Sequence, residues 1–224
     1  MRLVLGIEAA TPVGSVAVAR EGTLLAEATL GLTTRHAELL LPAIDFVLGS
    51  AGVARTGLSE IVVGAGPGSF TGVRIAAATA RGLAAALSVP LSAHGSLLVA
   101  AAASGVRDRP VCALFDARRG EVYAACYRFG ADLPETLLEP VATRVEDVVA
   151  QLAGQDIVWT GDGAHVYADR LPDARVVPAL LAVPRAAALL WLHGMAPGAA
   201  RIAEPAHWQP TYLRGSGAER GVAG

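Results

Sequence analysis

The chain has 224 residues, 53% of them hydrophobic and only 17% charged, so it is a folded globular protein able to bury a substantial core, not a disordered one. Its formal net charge is −2 and all 18 of its basic residues are arginine. That balance argues against a dedicated nucleic-acid binder, and it removes a Schiff-base lysine, a lysine general base and a Walker-type phosphate lysine.

The two cysteines, Cys112 and Cys126, are too few for a disulfide framework or a thiolate zinc site and are expected as reduced strand residues. The N-terminus reaches Glu8 too early for a signal peptide. The apolar stretch 84–106 is broken by Pro90, His94 and Gly95, which disfavours a membrane span. The expected location is the cytoplasm.

In chain order, 3–8, 15–20 and 23–30 predict three strands, with a tight-turn signal at Glu21-Gly22 between the last two. A helix over 35–48, a buried strand over 60–65 and a long helix over 73–87 follow, then a short strand at 91–93 and a helix at 96–103. The order then repeats: strands at 110–115, 121–129 and 136–141, a helix at 145–152, a strand at 156–160, a helix at 164–171, a short strand at 176–177 and a helix at 185–193. Gly6-Ile7-Glu8-Ala9 corresponds to Leu114-Phe115-Asp116-Ala117, an acid closing the first strand of each half. The pattern predicts an α/β fold of two ribonuclease-H-like lobes, 1–106 and 107–214, facing each other across a cleft. That is the duplicated arrangement of the actin, Hsp70 and sugar-kinase (ASKHA) architecture. A disordered tail is expected at 215–224.

Gly66-Pro-Gly-Ser-Phe-Thr-Gly72 lies between a buried strand and a helix. Backbone N–H groups at the helix start, the hydroxyls of Ser69 and Thr71, and Arg74 in the first turn would favour an anion. The spacing fits neither the dinucleotide pattern, which needs glycine where Thr71 stands, nor a Walker loop. The other reading is a turn whose glycines, Gly66, Gly68 and Gly72, permit tight strand-to-helix packing.

The following helix is apolar on two sides. Val73, Ala76, Ala80, Leu83 and Leu87 form a core face, and Ile75, Ala78, Gly82 and Ala86 form the opposite one, flanked by Arg74 and Arg81. In the helix before it, Ala37, Leu40, Ile44 and Leu48 make the core stripe, and Leu39, Ala43 and Phe46 make a second. Neighbouring helices with two apolar sides predict a surface for another protein, against the alternative of burial under another part of the chain.

No catalytic constellation can be nominated. His36 has Leu40 where a helical metal pair needs a second histidine, and the other histidines have no ligand spacing. Asp116-Ala-Arg-Arg-Gly-Glu-Val-Tyr123 is either a phosphate or metal–nucleotide hairpin or a solvated turn with ion pairs.

Taken together, the glycine loop with its Val73-Arg74-Ile75 extension, His36-Ala-Glu-Leu-Leu-Leu-Pro42, the 116–123 hairpin and Pro210-Thr-Tyr-Leu-Arg214 resemble the TsaB family, accessory proteins of bacterial tRNA threonylcarbamoyladenosine synthesis. The resemblance implies a two-lobe ATPase fold with degraded catalytic features. It also implies pairing with TsaD through the first two helices, a third component TsaE, and homodimers where TsaD is absent. The partner surface so implied comprises His36, Leu39, Ala43, Phe46, Arg74, Ile75, Ala78, Arg81, Gly82 and Ala86. Nucleotide or phosphate contacts would fall on Glu8, Thr11, Gly66, Gly68, Ser69, Thr71, Gly72, Asp116 and Arg118. No tightly bound cofactor and no metal are expected, ATP or ADP with magnesium being held only within the complex, and tRNA contact is indirect at most. Glu8-Ala9-Ala10 departs from the family's Asp-Thr-Ser or Asp-Thr-Ala, which weakens a phosphate loop in the first lobe. The alternative functions are an independent ATP-dependent phosphotransferase or hydrolase, with Glu8 and Asp116 facing the cleft, and a glycopeptidase-like metallopeptidase.

Overall fold

The computed structural model describes residues 2–31, 36–130, 133–172 and 175–213; the tail expected at 215–224 lies outside them. In chain order the first half contains β1 (Leu3–Glu8), β2 (Val13–Arg20), β3 (Thr23–Gly31), α1 (His36–Ser50), β4 (Glu60–Gly64), α2 (Phe70–Leu87), β5 (Leu91–His94) and α3 (Ser96–Ala103). The second half repeats them as β6 (Val111–Asp116), β7 (Glu121–Arg128), β8 (Glu135–Arg144), α4 (Val145–Gln151), β9 (Val158–Thr160), α5 (Asp162–Val166), β10 (Arg175–Val176) and α6 (Ala186–Met195). The two five-stranded sheets run β3-β2-β1-β4-β5 and β8-β7-β6-β9-β10, the same order twice. In each, two antiparallel hairpin partners precede parallel crossover strands. This is the duplicated ribonuclease-H-like fold.

The hydrophobic residues form three principal cores. α1 and α2 cover the outer face of the first sheet through Leu40, Ile44, Val47, Ala76 and Ala80, packed on Leu5, Ile7, Ile61 and Val63. α4 and α5 cover the outer face of the second sheet, over Cys112, Leu114 and Trp159. Between the sheets lies one shared core: Val4 and Val62 from the first, Val111, Ala113 and Phe115 from the second, and α3 and α6 between them.

In that middle layer the two halves exchange helices. α3, from the first half, lies on β6 and β7; α6, from the second, lies on β1, β2 and β4. Buried Leu189 and Leu192 of α6 each contribute about 2 kcal/mol by leaving water. Two apolar helices thus form the layer between the two sheets.

First-sheet residues hold both ends of α6. At its N-terminus Ser15 Oγ accepts from the Ala186 amide at 3.0 Å and Glu27 Oε1 from the Ala187 amide at 3.0 Å. The carboxylate also meets the positive end of the helix dipole and pairs with Arg185. Gly6 lets the helix come this close, since a Cβ there would lie 2.9 Å from Leu190 Cγ.

At the other end His193, 2% exposed, enters a polar cluster with Arg2, Glu60, Ser92 and His94. Arg2 Nη2 lies 2.6 Å from Glu60 Oε2 and 2.5 Å from His193 Nε2. The same Nε2 lies 3.1 Å from Glu60 Oε1, and His193 Nδ1 faces His94 Nε2 at 3.3 Å. Burial, and then the neighbouring His193, push His94 down to about 4; burial likewise lowers His193. Burial alone would raise Glu60, but hydrogen bonds from Arg2 and Ser92 outweigh it and hold the carboxyl below its usual range.

The C-terminal segment returns to the first lobe. The Ala93 amide donates to Ala200 O and the Ile202 amide to Leu91 O, each at 2.9 Å, covering the free edge of β5.

His94 is held neutral in the fold but protonates near 6.5 when unfolded, so the stability it contributes is present above pH 6.5 and is lost as pH falls towards 4. Denaturant titrations at pH 7 and pH 4 are expected to show a His94→Gln variant losing about 2 kcal/mol less than the parent between those two values.

Candidate functional site

Two regions carry the residues expected to act: the turn after β1 with the glycine loop, and the outer faces of α1 and α2. In the first, the glycine loop closes on the β1–β2 turn. The Ser69 amide donates to Ala10 O at 2.7 Å, and a Cβ on Gly68 would stand 2.2 Å from that same oxygen. The Ser69 hydroxyl caps α2 by accepting from the Gly72 amide at 3.4 Å, which starts the helix at Phe70, three residues earlier than its apolar periodicity indicates. Gly66, at φ 81°, takes a left-handed turn that favours glycine, and its N–H and C=O both bond Ser96, the first residue of α3. Thr71 is exposed, and the Thr11 hydroxyl is turned onto Val13 O at 2.7 Å.

Glu8 corrects the expectation of an acid facing a cleft. It is fully buried, its Oε1 accepting from the Ala10 amide at 2.8 Å, and Ser96 Oγ lies 3.1 and 3.0 Å from its two oxygens. The side chain lies over Gly64, where a Cβ would be 2.0 Å from Oε2. Burial pushes this carboxyl up to about 7, against the lowering effect of the Ala10 and Ser96 hydrogen bonds. Glu8 and the contact of Gly68 and Ser69 with Ala10 thus join the glycine loop to the turn after β1. Gly64 and Ser96, which complete the arrangement, carry no sequence pattern that singles them out.

At the matching place in the second lobe, Asp116 Oδ1 accepts from the Arg118 amide at 2.9 Å and from the Tyr167 hydroxyl at 3.0 Å. Arg118 Nη1 lies 3.6 Å from Oδ2 and its side chain is 85% exposed. Arg118 and Arg119 both have positive φ, 67° and 60°, at the hairpin tip. Asp162, at the start of α5, is raised by burial and by the charge of Asp116. Tyr167 and Asp162 were not among the expected residues; only the β6–β9 pairing brings their segment to the end of β6. Among the described residues no group of three or more His, Cys, Asp or Glu side chains is placed to hold a metal ion.

On α2, Arg74, Ala78, Gly82, Ala85 and Ala86 are exposed along one side. On α1, Phe46 is 66% and Leu41 47% exposed, a pair of large apolar side chains of which only Phe46 was expected. Leu39 is half-buried, and His36 begins the helix, its side chain lying outside the described ones. Three expected surface residues need correction. Ala43 is buried beside Leu40 and Ile44, one turn before Val47, so it belongs to the core face. Ile75 is half-buried and packs on that same core. Arg81 donates to Ala206 O and to Trp208 O, binding the C-terminal segment instead of standing free. That segment and α2 bound a groove of about 590 Å3 lined by Ala78, Arg81, Gly82, Ala85, Val89, Pro205 and Ala206. At the N-terminal end of α2, Phe70 packs against Tyr212 with ring centres 5.4 Å apart and planes tilted by 46°, under the Arg74 guanidinium.

Glu8 stays neutral in the fold to about pH 7, whereas unfolded it ionises near 4.5; the folded state therefore loses relative stability as pH rises across that interval. Glu8→Gln keeps the shape without the ionisation. Denaturant titrations from pH 4 to 8 are expected to show it gaining on the order of 3 kcal/mol over the parent across the window, with a flat difference on either side.

Comparison with known proteins agrees with the geometry. A family model described as "TsaD: tRNA N6-adenosine threonylcarbamoyltransferase" matches residues 26–220. The chain is 31% identical over 217 residues to the Bacillus subtilis tRNA threonylcarbamoyladenosine biosynthesis protein TsaB, covering 90% of this chain and 95% of that one. It is 29% identical to the Escherichia coli TsaB protein over 231 residues, covering 99% and 98%. Among solved structures, YeaZ from Pseudomonas aeruginosa superposes with a TM-score of 0.82 at 32% identity, over 95% of this chain and all of that one. The ethanolamine utilization protein EutJ of Carboxydothermus hydrogenoformans shares the fold alone, with a TM-score of 0.52 at 14% identity over 85% and 90% of the chains. With the fold, the closed glycine loop and near full-length similarity in agreement, the chain belongs to the TsaB family of tRNA threonylcarbamoyladenosine biosynthesis proteins.

Proposed function

We propose that the chain is a non-catalytic subunit of the machinery that makes threonylcarbamoyladenosine in tRNA, pairing with TsaD through the outer faces of α1 and α2. The observation that carries this reading is the exposed side of α2. Ala78, Gly82, Ala85 and Ala86 leave a solvent-facing helical strip without large side chains, and α1 adds exposed Leu41 and Phe46. A lone surface helix normally turns polar residues to water; glycine there costs about 1 kcal/mol relative to alanine unless close packing recovers it. Such a strip admits another helix at short distance.

The interior of the molecule supports a binding role over a chemical one. Glu8 is sealed under Gly64 and Ser96, the glycine loop bonds its own neighbouring turn, and buried Leu40 stands where a metal-binding helix would need a second histidine. In this reading ATP or ADP with magnesium is held only within the assembled complex, TsaE joins the TsaD pair, and the chain dimerises with itself through the same helices when TsaD is absent. Its contact with tRNA is indirect, and it acts in the cytoplasm; no helix of the described residues is long and apolar enough to cross a membrane.

A tRNA modification assay reconstituted with and without the chain is expected to lose product on omission and recover it on addition. Ala78→Glu puts a charge on an exposed position and leaves the core intact; it should weaken capture of TsaD by more than about tenfold in a pull-down or by calorimetry. Unchanged capture by this variant would exclude the α2 face as the interface.

A further inference from the structure

We propose that Arg81 is a positioning residue, which holds residues 205–212 against α2 and thereby couples the partner face to the glycine loop. The inference rests on the reading above that the α2 face receives TsaD.

Arg81 stands between Ala78 and Gly82 on the rim of the exposed strip, where a free guanidinium would be available to a partner's carboxylate. It is turned instead to the carbonyls of Ala206 and Trp208, the latter at 3.4 Å. A carbonyl pair gives a guanidinium two directed hydrogen bonds and no charge compensation, so this is an attachment of backbone, not an ion pair. Pro205 and Ala206 are thereby held as one wall of the groove whose other wall is Ala78, Gly82 and Ala85. Whatever seats on α2 meets this wall as well.

The same segment is fixed at its far end to the glycine loop. The Thr211 amide donates to Ala65 O at 2.8 Å, and Thr211 O lies 3.0 Å from where a Cβ on Gly66 would stand. Between the two attachments, half-buried Trp208 packs on the core beneath α1 and α2, and beyond them Tyr212 packs against Phe70. Gly66 is in turn bonded on both sides by Ser96, whose hydroxyl reaches Glu8. A continuous series of contacts therefore runs from the groove, through the segment, to the buried carboxyl at the end of β1. Loosening the segment at Arg81 frees the wall of the groove and the outer support of the loop together.

Hydrogen–deuterium exchange on the isolated chain and calorimetry with TsaD, applied to Arg81→Ala, Arg81→Lys and Thr211→Pro, test this. Arg81→Ala is expected to speed exchange at the Trp208 and Thr211 amides by at least about tenfold and to weaken TsaD by a similar factor, with Arg81→Lys between it and the parent. Thr211→Pro removes the amide that bonds Ala65 without altering α2, and should weaken TsaD comparably. If Arg81→Ala weakens TsaD with exchange unchanged, Arg81 touches the partner directly and the positioning role is wrong, although the α2 face stands. If exchange at the Trp208 amide rises in Arg81→Ala and in Thr211→Pro while affinity holds, the coupling is wrong. If Ala78→Glu also binds as the parent does, the partner face itself is wrong, and this inference falls with it.

Discussion

The arrangement of the whole molecule depends on the layer between the sheets, where each half surrenders its last helix to the other. Once α6 lies on β1 and β2, Gly6 has to be bare, the helix needs acceptors at its N-terminus, and Ser15 and Glu27 supply them from the opposite half. His193 is carried into the first sheet's polar edge, where Arg2 and Glu60 enclose it. Neutral histidines and an ionised glutamate are both favoured there, and both preferences are lost in acid. Glu8 pulls the other way, since its buried carboxyl is most comfortable when protonated. These groups therefore oppose one another in their pH dependence.

The turn after β1 and the glycine loop form a structural joint. Glutamate is one methylene longer than aspartate, and in this chain that length folds back over Gly64, where any side chain would exclude it. The carboxyl takes the Ala10 amide, and the glycine loop claims the Ala10 carbonyl. The Ala10 and Ser69 amides are thus both satisfied within the joint. What remains exposed is the start of α2 and the aromatic pair beside it.

The duplicated order of strands and helices was legible because each half alternates cleanly between strand runs and helical periods, and because the acids Glu8 and Asp116 punctuate the two first strands. Which sheet each terminal helix covers was not. α3 and α6 are apolar nearly all round, a pattern that announces burial without naming the surface that provides it. The same ambiguity misplaced Ala43 and Ile75: in helices rich in alanine and leucine, two faces look alike until the neighbours are known. Arg81 and Trp208 meet across 127 residues, a contact no local spacing could announce. Glu8 read as an acid facing the cleft because it closes the first strand as Asp116 closes the sixth. Its burial is set by Gly64 and Ser96, which lie on other elements.

The exchange of helices also sets the order in which the protein can be completed during synthesis. Ser15 waits for Ala186, a separation of 171 residues, and Arg2 waits for His193, a separation of 191. Until α6 has left the ribosome the inner face of the first sheet has no cover of its own, however well its strands have paired. Neither half can then reach its final state as an independent unit, and a nascent chain stopped near residue 106 exposes the apolar side of a sheet. The two lobes descend in pattern from one repeated plan, yet they mature only as a single piece.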